Sequence, residues 1–300
     1  MTEQTDFLTR ISDALAARAQ SARSSVVAIQ VAEERHISGT LWRPDAVVTS
    51  EQALPRREEF QAVLPGGVQA VARVAGRDAG TNVALLHIPE QASFVPLSVA
   101  QAETGALALA YGAHGSGEVT ARMGIVNLAG PEWHSSAGGR IDRRIVLDIR
   151  IGRMEEGGPV FDREGACLGM STFGPRGQVL VIPAQTIDRT VPALLKDGRV
   201  VRGWLGVALQ PVAVPEPLQG QAGQSSGLMV MSIAEGGPAA RAGIVAGDIV
   251  LTLNGTPARK LRRAASHLGS DSIGQSAELQ LIRAGGVLSL QVTIEARPAE

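Results

Sequence analysis

Between Val26 and Ile182 the apolar residues come in short runs broken by turn residues, and almost nowhere at helical spacing. That pattern constrains the fold more than any other feature of the chain. Residues 26–32 form one apolar run. Residues 38–42 and 46–49 flank Pro44-Asp45 and read as a hairpin. Val68, Ala70, Ala72 and Val74 alternate with Gln69 and Arg73, the two-residue period of a strand. Further runs occupy 83–88, 107–111, 124–128, 145–149, 160–161, 167–172 and 179–182. With 35 glycines and 16 prolines to turn the chain, so many short strands predict a β-barrel or sandwich. A helix is expected over 184–196, stopped by Gly198.

The two ends read differently. Residues 6–21 have helical spacing, with Phe7, Ile11, Ala14 and Leu15 on one face, as in a docking or oligomerising helix. After Trp204 the composition shifts. Pro211, Pro215, Pro217 and the stretch 220–227 read as a loop-rich patch. Strands are expected at 228–233, 249–253, 279–282 and 287–294, with a helix at about 259–268 between them. This is a small α+β unit.

Composition removes several function classes. A formal net charge of −1 argues against a nucleic-acid partner held by phosphate contacts. Cys167 is the only cysteine, so no intramolecular disulfide or cysteine-cluster metal site can form. No metal or other cofactor is expected. No apolar run is long enough for a signal peptide or membrane span, which predicts a cytoplasmic protein with no membrane partner.

Four strings, in order, resemble the HtrA family of trypsin-like serine proteases. Residues 47–54, Val-Val-Thr-Ser-Glu-Gln-Ala-Leu, look like the segment that carries that family's catalytic His. Residues 76–85 look like the segment around its Asp. Asp148 through Gly157-Gly158-Pro159-Val160 looks like the segment around its nucleophilic Ser. Residues 202–207, Arg-Gly-Trp-Leu-Gly-Val, look like the entry to its PDZ domain. The resemblance implies an all-β double β-barrel (trypsin/chymotrypsin-like) followed by an α+β PDZ domain. It divides the chain into an N-terminal helix (1–23), a protease-like domain (24–198) and a PDZ domain (199–300). It also implies a homo-oligomer, a trimer by family habit.

At the three triad positions the sequence departs from the family: Gln52 replaces His, Asn82 replaces Asp and Glu156 replaces Ser. A serine protease needs a hydroxyl nucleophile, an imidazole base and a carboxylate to orient it. Gln52 does not titrate near neutral pH, Asn82 carries no charge, and Glu156 puts an anion where an acyl carbonyl must approach. Met154 stands where the family has a Gly beside the oxyanion hole. The expectation is therefore a pseudoprotease, not an enzyme, acting as a scaffold, adaptor or chaperone. The alternatives are an active endopeptidase, which requires Gln52, Asn82 and Glu156 to be misaligned or a replacement nucleophile such as Ser50, Ser135, Ser136 or Ser171, and a structural subunit of a larger complex. His36, His114 and His134 are expected in loops, and Glu155-Glu156 as a solvated loop pair.

The PDZ-like unit keeps its binding features. Trp204-Leu205-Gly206-Val207 matches the carboxylate-binding loop of such domains, and Val207-Ala208-Leu209 would be the edge strand that pairs with a peptide. Leu261, Ala264, Ala265 and Leu268 share one helical face and would close the groove. The partner implied is a protein or peptide C-terminus. Arg259, Lys260, Arg262 and Arg263 form a basic cluster on that helix.

Overall fold

The computed structural model describes residues 2–298 except 92, 136, 262–264 and 266. The chain divides into two compact units: 1–133 with 141–200, and 134–140 with 201–300.

The first unit holds two closed six-stranded barrels. The first barrel has β1 (Val26–Ala32), β2 (Arg35–Arg43), β3 (Ala46–Ser50), β4 (Glu59–Leu64), β5 (Val68–Asp78) and β6 (Val83–His87), in the order β1-β2-β3-β6-β5-β4. β1 pairs with β4 to close it. The second takes β7 (Leu107–Ala113), β8 (Val119–Gly130), β11 (Arg144–Leu147), β12 (Pro159–Asp162), β13 (Cys167–Phe173) and β14 (Val179–Pro183). Its order is β11-β14-β13-β12-β7-β8, closed by β8 on β11. Two short strands, β9 (Trp133–His134) and β10 (Arg140–Ile141), interrupt the series.

Several strands read as unbroken apolar runs because both of their faces are buried. Along β3, Val47 enters the core of the first barrel while Ala46 and Val48 enter a second cluster outside it. In β6, Ala84 and Leu86 go inward while Val83 and Leu85 go outward. The two-residue period is present but hidden, since both faces meet apolar partners.

Two helices pack on this unit. α1 (Thr2–Ala22) turns Leu15, Ala19 and Ala22 toward Tyr111 and Phe161, and leaves Phe7, Leu8 and Ile11 exposed. α2 (Ala184–Asp197) buries Ile187, Val191 and Leu194. It ends as expected at Gly198, whose φ of 67° is left-handed and whose N–H closes on the Leu194 carbonyl at 3.1 Å.

The second unit contains β15 (Gly203–Trp204), β16 (Val207–Ala213), α3 (Glu216–Ala222), β17 (Ser226–Ile233), α4 (Pro238–Arg241), β18 (Ile249–Leu253), β19 (Thr256–Pro257), β20 (Ser276–Arg283), β21 (Gly286–Thr293) and β22 (Glu295–Ala296). The main sheet runs β16-β17-β18-β20-β21, so β16 lies at an edge. Leu228, Val230, Leu253, Leu281 and Ile294 fill its core.

The structure corrects some expectations. The patch read as loop contains α3, because Pro217 sits in the first turn, where a missing N–H costs nothing. β4 was not anticipated. His36 lies on β2 and His134 on β9, not in loops. Ala264, with Arg262 and Arg263 of the basic cluster and Ser136 of the alternative nucleophiles, lies outside the described residues.

Candidate functional site

The three substituted triad positions converge within the first unit. Gln52 sits in a 3-10 turn (Glu51–Ala53) that follows β3 directly. Asn82 precedes β6 at φ 58°, a left-handed conformation that Asn tolerates. The Asp78 carboxylate fixes the turn before it, accepting from the Thr81 hydroxyl at 2.7 Å and the Thr81 N–H at 3.0 Å. Glu156 lies in the turn that leads into β12. Ser38 of β2 clamps this turn: its hydroxyl donates to the Met154 carbonyl, and its N–H donates to the Glu156 carbonyl at 2.9 Å.

One hydrogen-bond network joins the cluster. Glu156 Oε1 accepts from Gln52 Nε2 at 2.8 Å, Ser50 Oγ at 3.1 Å and Thr172 Oγ1 at 3.2 Å. Thr172 Oγ1 in turn accepts from Asn82 Nδ2 at 2.8 Å and Gln52 Nε2 at 2.9 Å. Asn82 Nδ2 also reaches Ser50 Oγ at 3.1 Å, and Asn82 Oδ1 accepts from the Gln52 N–H at 2.8 Å. The donors run from amides through hydroxyls to one carboxylate. A buried carboxylate only accepts, so it needs this supply. The three substitutions are therefore chemically matched to one another. No histidine is among the cluster's partners.

Glu155 and Glu156 are both buried, at 0% and 6% exposure, which corrects the expectation of a solvated pair. They escape mutual repulsion by taking separate donors. Glu155 accepts from Arg122 Nε at 3.2 Å, Thr120 Oγ1 at 3.3 Å and the Gly152 N–H at 2.5 Å. The backbone N–H groups of Met154 and Glu156 donate to nothing among the described residues. Met154 therefore leaves that pair of donors open, although it replaces a Gly of the resembled family.

Beside the cluster lies an open cleft of about 560 Å³, lined by Val31, Ile37 and Leu54 with Arg35, Arg153, Gln52 and Glu156 at its polar side. Of the proposed alternative nucleophiles, Ser50 and Ser171 are fully buried and held in hydrogen bonds. Burial pushes the Cys167 thiol up to about 12, so it stays protonated and unreactive at neutral pH. Ser50 and Thr172 are the cluster members that sequence spacing does not assign to this network. Ser50 lies within the 47–54 string and figures there only as an alternative nucleophile, and Thr172 is marked by no motif.

In the second unit, Trp204 pairs through β15 with β22, and Gly206 turns the chain at φ 77° into β16. The Leu205 and Gly206 N–H groups have no acceptor among the described residues. Val207 and Leu209 lean on the sheet's core, whereas Ala208 is exposed. Leu261 is 46% exposed, Ala265 half-buried, and Leu268 packs on the core.

Comparison with known proteins places these units. Residues 37–170 match the trypsin-like peptidase domain family, and residues 203–294 match the PDZ domain family. A relative from Rhizobium meliloti (strain 1021), named a probable periplasmic serine endoprotease DegP-like, is 30% identical over 263 residues, covering 85% of this chain and 52% of the relative. One of the same name from Pseudomonas putida (strain W619) is 28% identical over 261 residues, covering 84% and 54%. The chain spans about half the length of these curated relatives. Among solved structures, the HtrA-type protease AlgW with a decapeptide superposes at a TM-score of 0.72 with 22% identity, covering 95% of this chain and 99% of that one. The serine endoprotease from Yersinia pestis gives 0.71 and 22%, with 94% and 98% covered.

Two expectations are corrected by these findings. The reading of the chain as no enzyme is overturned by its relatives' names, which are those of serine endoproteases, and nothing in the comparisons marks a loss of activity. Side-chain identity at three positions was too narrow a basis for that reading. The cytoplasmic expectation is overturned because the same relatives are named periplasmic. No described helix is long and apolar enough to cross a membrane, and that fact does not report a compartment. In fold and order of domains the chain is HtrA/DegP-like, a trypsin-like peptidase domain followed by a PDZ domain.

Proposed function

We propose that this chain is an HtrA-like, peptide-binding protein whose PDZ unit captures the C-terminal end of an extended polypeptide. The observation that carries the reading is the edge position of β16 beside two unpaired N–H groups, those of Leu205 and Gly206. An edge strand offers main-chain hydrogen bonds to an added strand, and adjacent free N–H groups hold a carboxylate. Leu205, Val207 and Leu209, with Leu261, Ala265 and Leu268 opposite, would take the peptide's apolar side chains. The solved AlgW complex with a decapeptide supports this reading for the fold. The relatives' periplasmic setting, and self-association through exposed Phe7, Leu8 and Ile11 of α1, belong to the same proposal. Native mass spectrometry would read the second.

A second reading is the proteolysis named in the relatives. The observation in its favour is the open N–H pair of Met154 and Glu156, which retains the donors of an oxyanion site. It needs a nucleophile other than residue 156. Turnover of casein by the purified chain, proportional to its concentration through repurification, is the deciding measurement.

The PDZ reading is tested by fluorescence anisotropy with a labelled peptide selected from a library of free C-termini. Amidating the peptide's C-terminus is expected to weaken binding roughly tenfold or more, the worth of a charge-assisted contact. Gly206→Val should abolish binding. It forces a β-branched side chain into φ 77°, with its Cβ 3.3 Å from the Trp204 ring. Equal binding of free and amidated peptides, or a library with no binder, would remove the proposal.

A further inference from the structure

A pocket of about 220 Å³, sharing no lining residue with the cleft beside Glu156 or with the PDZ groove, lies between the last turns of α1 and the second barrel. Leu97, Leu109 and Phe161 give it an apolar wall. Its polar lining is Arg18, Tyr111, Asp162 and the serines Ser21, Ser24, Ser25 and Ser98. Tyr111 is the only tyrosine in the chain and is 1% exposed. Its ring packs against Phe161, with centroids 5.8 Å apart. No side chain among the described residues hydrogen-bonds the Tyr111 hydroxyl. That oxygen is also not among the sealed-off unpaired polar atoms of the described residues, of which Thr40 Oγ1 is the one case, so a side chain that lines this pocket has an O–H to offer there.

Arg18 of α1 also lines the pocket and has no ion-pair partner among the described residues. Its guanidinium lies over Gly165, with Nη1 3.1 Å from where a Cβ would stand. Gly165 is at φ 85°, so the loop combines a turn with room for the arginine. Burial raises the Tyr111 hydroxyl above its ordinary value while Arg18 pulls the other way. At neutral pH the tyrosine is therefore a neutral donor beside a fixed cation. Asp162 is the pocket's anion. Its Oδ1 is already committed to the N–H groups of Glu164 at 2.8 Å and Ala166 at 2.9 Å. The serines of α1's end spend their hydroxyl protons on the helix: Ser21 donates to the Ala17 carbonyl and Ser25 to the Ala22 carbonyl.

An apolar wall with an arginine and a neutral O–H donor on the same lining suits a ligand that has one anionic end, kept to the Arg18 side away from Asp162. We propose that this pocket binds a small apolar monocarboxylate, its carboxylate held by Arg18 and the Tyr111 hydroxyl and its body against Leu97, Leu109 and Phe161. The pocket belongs to neither the PDZ groove nor the Glu156 cluster, so it stands or falls apart from the function proposed above. Small-molecule sites are typically concave and largely apolar, with a few converging polar groups, and this one fits that description on a small scale.

The single tyrosine makes the test direct. The 300-residue chain labelled with 3-fluorotyrosine gives one fluorine resonance, that of Tyr111. Phenylacetate and hexanoate are titrated against their uncharged amides. The expected result is a saturable shift with the carboxylates, and binding weaker by roughly tenfold or more with the amides. Arg18→Gln, an exposed change on α1, should weaken carboxylate binding to a similar degree while leaving the amides unchanged. Tyr111→Phe, followed by calorimetry, keeps the ring against Phe161 and should weaken carboxylates by a smaller factor. If neither carboxylate moves the resonance at millimolar concentration, the pocket is not such a site. If amides and acids bind alike, or Arg18→Gln changes nothing, the head-group assignment is overturned.

Discussion

Gly158→Ala is expected to lower the stability of the barrel unit by about 4 kcal/mol, or to prevent its folding, as read by urea denaturation followed by circular dichroism. A Cβ on Gly158 would stand 2.0 Å from the Tyr111 carbonyl oxygen and 3.1 Å from Ser38 Cβ. The first of these is backbone of β7, a strand paired on both sides with β8 and β12. Gly158 itself is pinned, donating to the Glu155 carbonyl at 3.1 Å and accepting from the Ser171 N–H at 2.9 Å. Neither partner can give way by the distance required. Gly220→Ala is the contrasting change. It lies in α3 with nothing within 4 Å, so it should be neutral or stabilise by up to about 1 kcal/mol. A Gly158→Ala protein with an unaltered unfolding midpoint would show that the 155–158 turn is looser than this packing requires.

Glu156→Ala should cost about 2–3 kcal/mol, and Glu156→Gln less. Removing the carboxylate takes an acceptor from Gln52, Ser50 and Thr172 at once; Ser50 and Thr172 are buried, while exposed Gln52 keeps Thr172 Oγ1 and the Phe173 carbonyl. A glutamine in place of Glu156 keeps one oxygen as an acceptor. The matched character of the cluster predicts coupling as well. In a double-mutant cycle, Gln52→Ala should cost about 1 kcal/mol less in the Glu156→Ala background than in the native one. Additive costs would mean that the amide and the carboxylate stabilise the turn independently. The measurement is the same denaturation series, and it does not depend on whether the chain cleaves peptides.

The strands were legible because the turn residues between them are strong signals and the apolar runs are long enough to count. Pro44-Asp45 marks the β2–β3 hairpin, and Gly198 marks the end of α2. β4 was not legible. Its Glu59 and Gln61 are exposed between the buried Phe60 and Ala62, too few alternations to stand out. α3 was hidden by prolines that a helix accepts only in its first turn. The positions of Gln52, Asn82 and Glu156 followed from the strings around them. Their joining through Ser50 and Thr172 did not, because it brings together residues of β3, the approach to β6, the turn before β12 and β13. Nothing local in the sequence encodes such a meeting. The same limit explains the misread Glu155-Glu156 pair. Two adjacent carboxylates look solvated until separate sets of donors, drawn from different strands, are seen to receive them.

Pro211 gives the open edge of the PDZ sheet a finite length. It lies in the middle of β16, opposite Leu228, and a proline carries no N–H with which to extend a ladder. A strand that adds to this edge meets outward main-chain donors only at alternate residues between Val207 and Gln210, the others facing β17, and Pro211 has no N–H to offer. On the proposed PDZ reading, the edge would grip only a short terminal piece of polypeptide and read its identity within a few residues. The same interruption limits the zippering of one molecule's edge onto another's, which is how exposed strands seed precipitation. One imino acid would thus let a sheet edge stay adhesive toward chain ends while shortening what it offers to another edge.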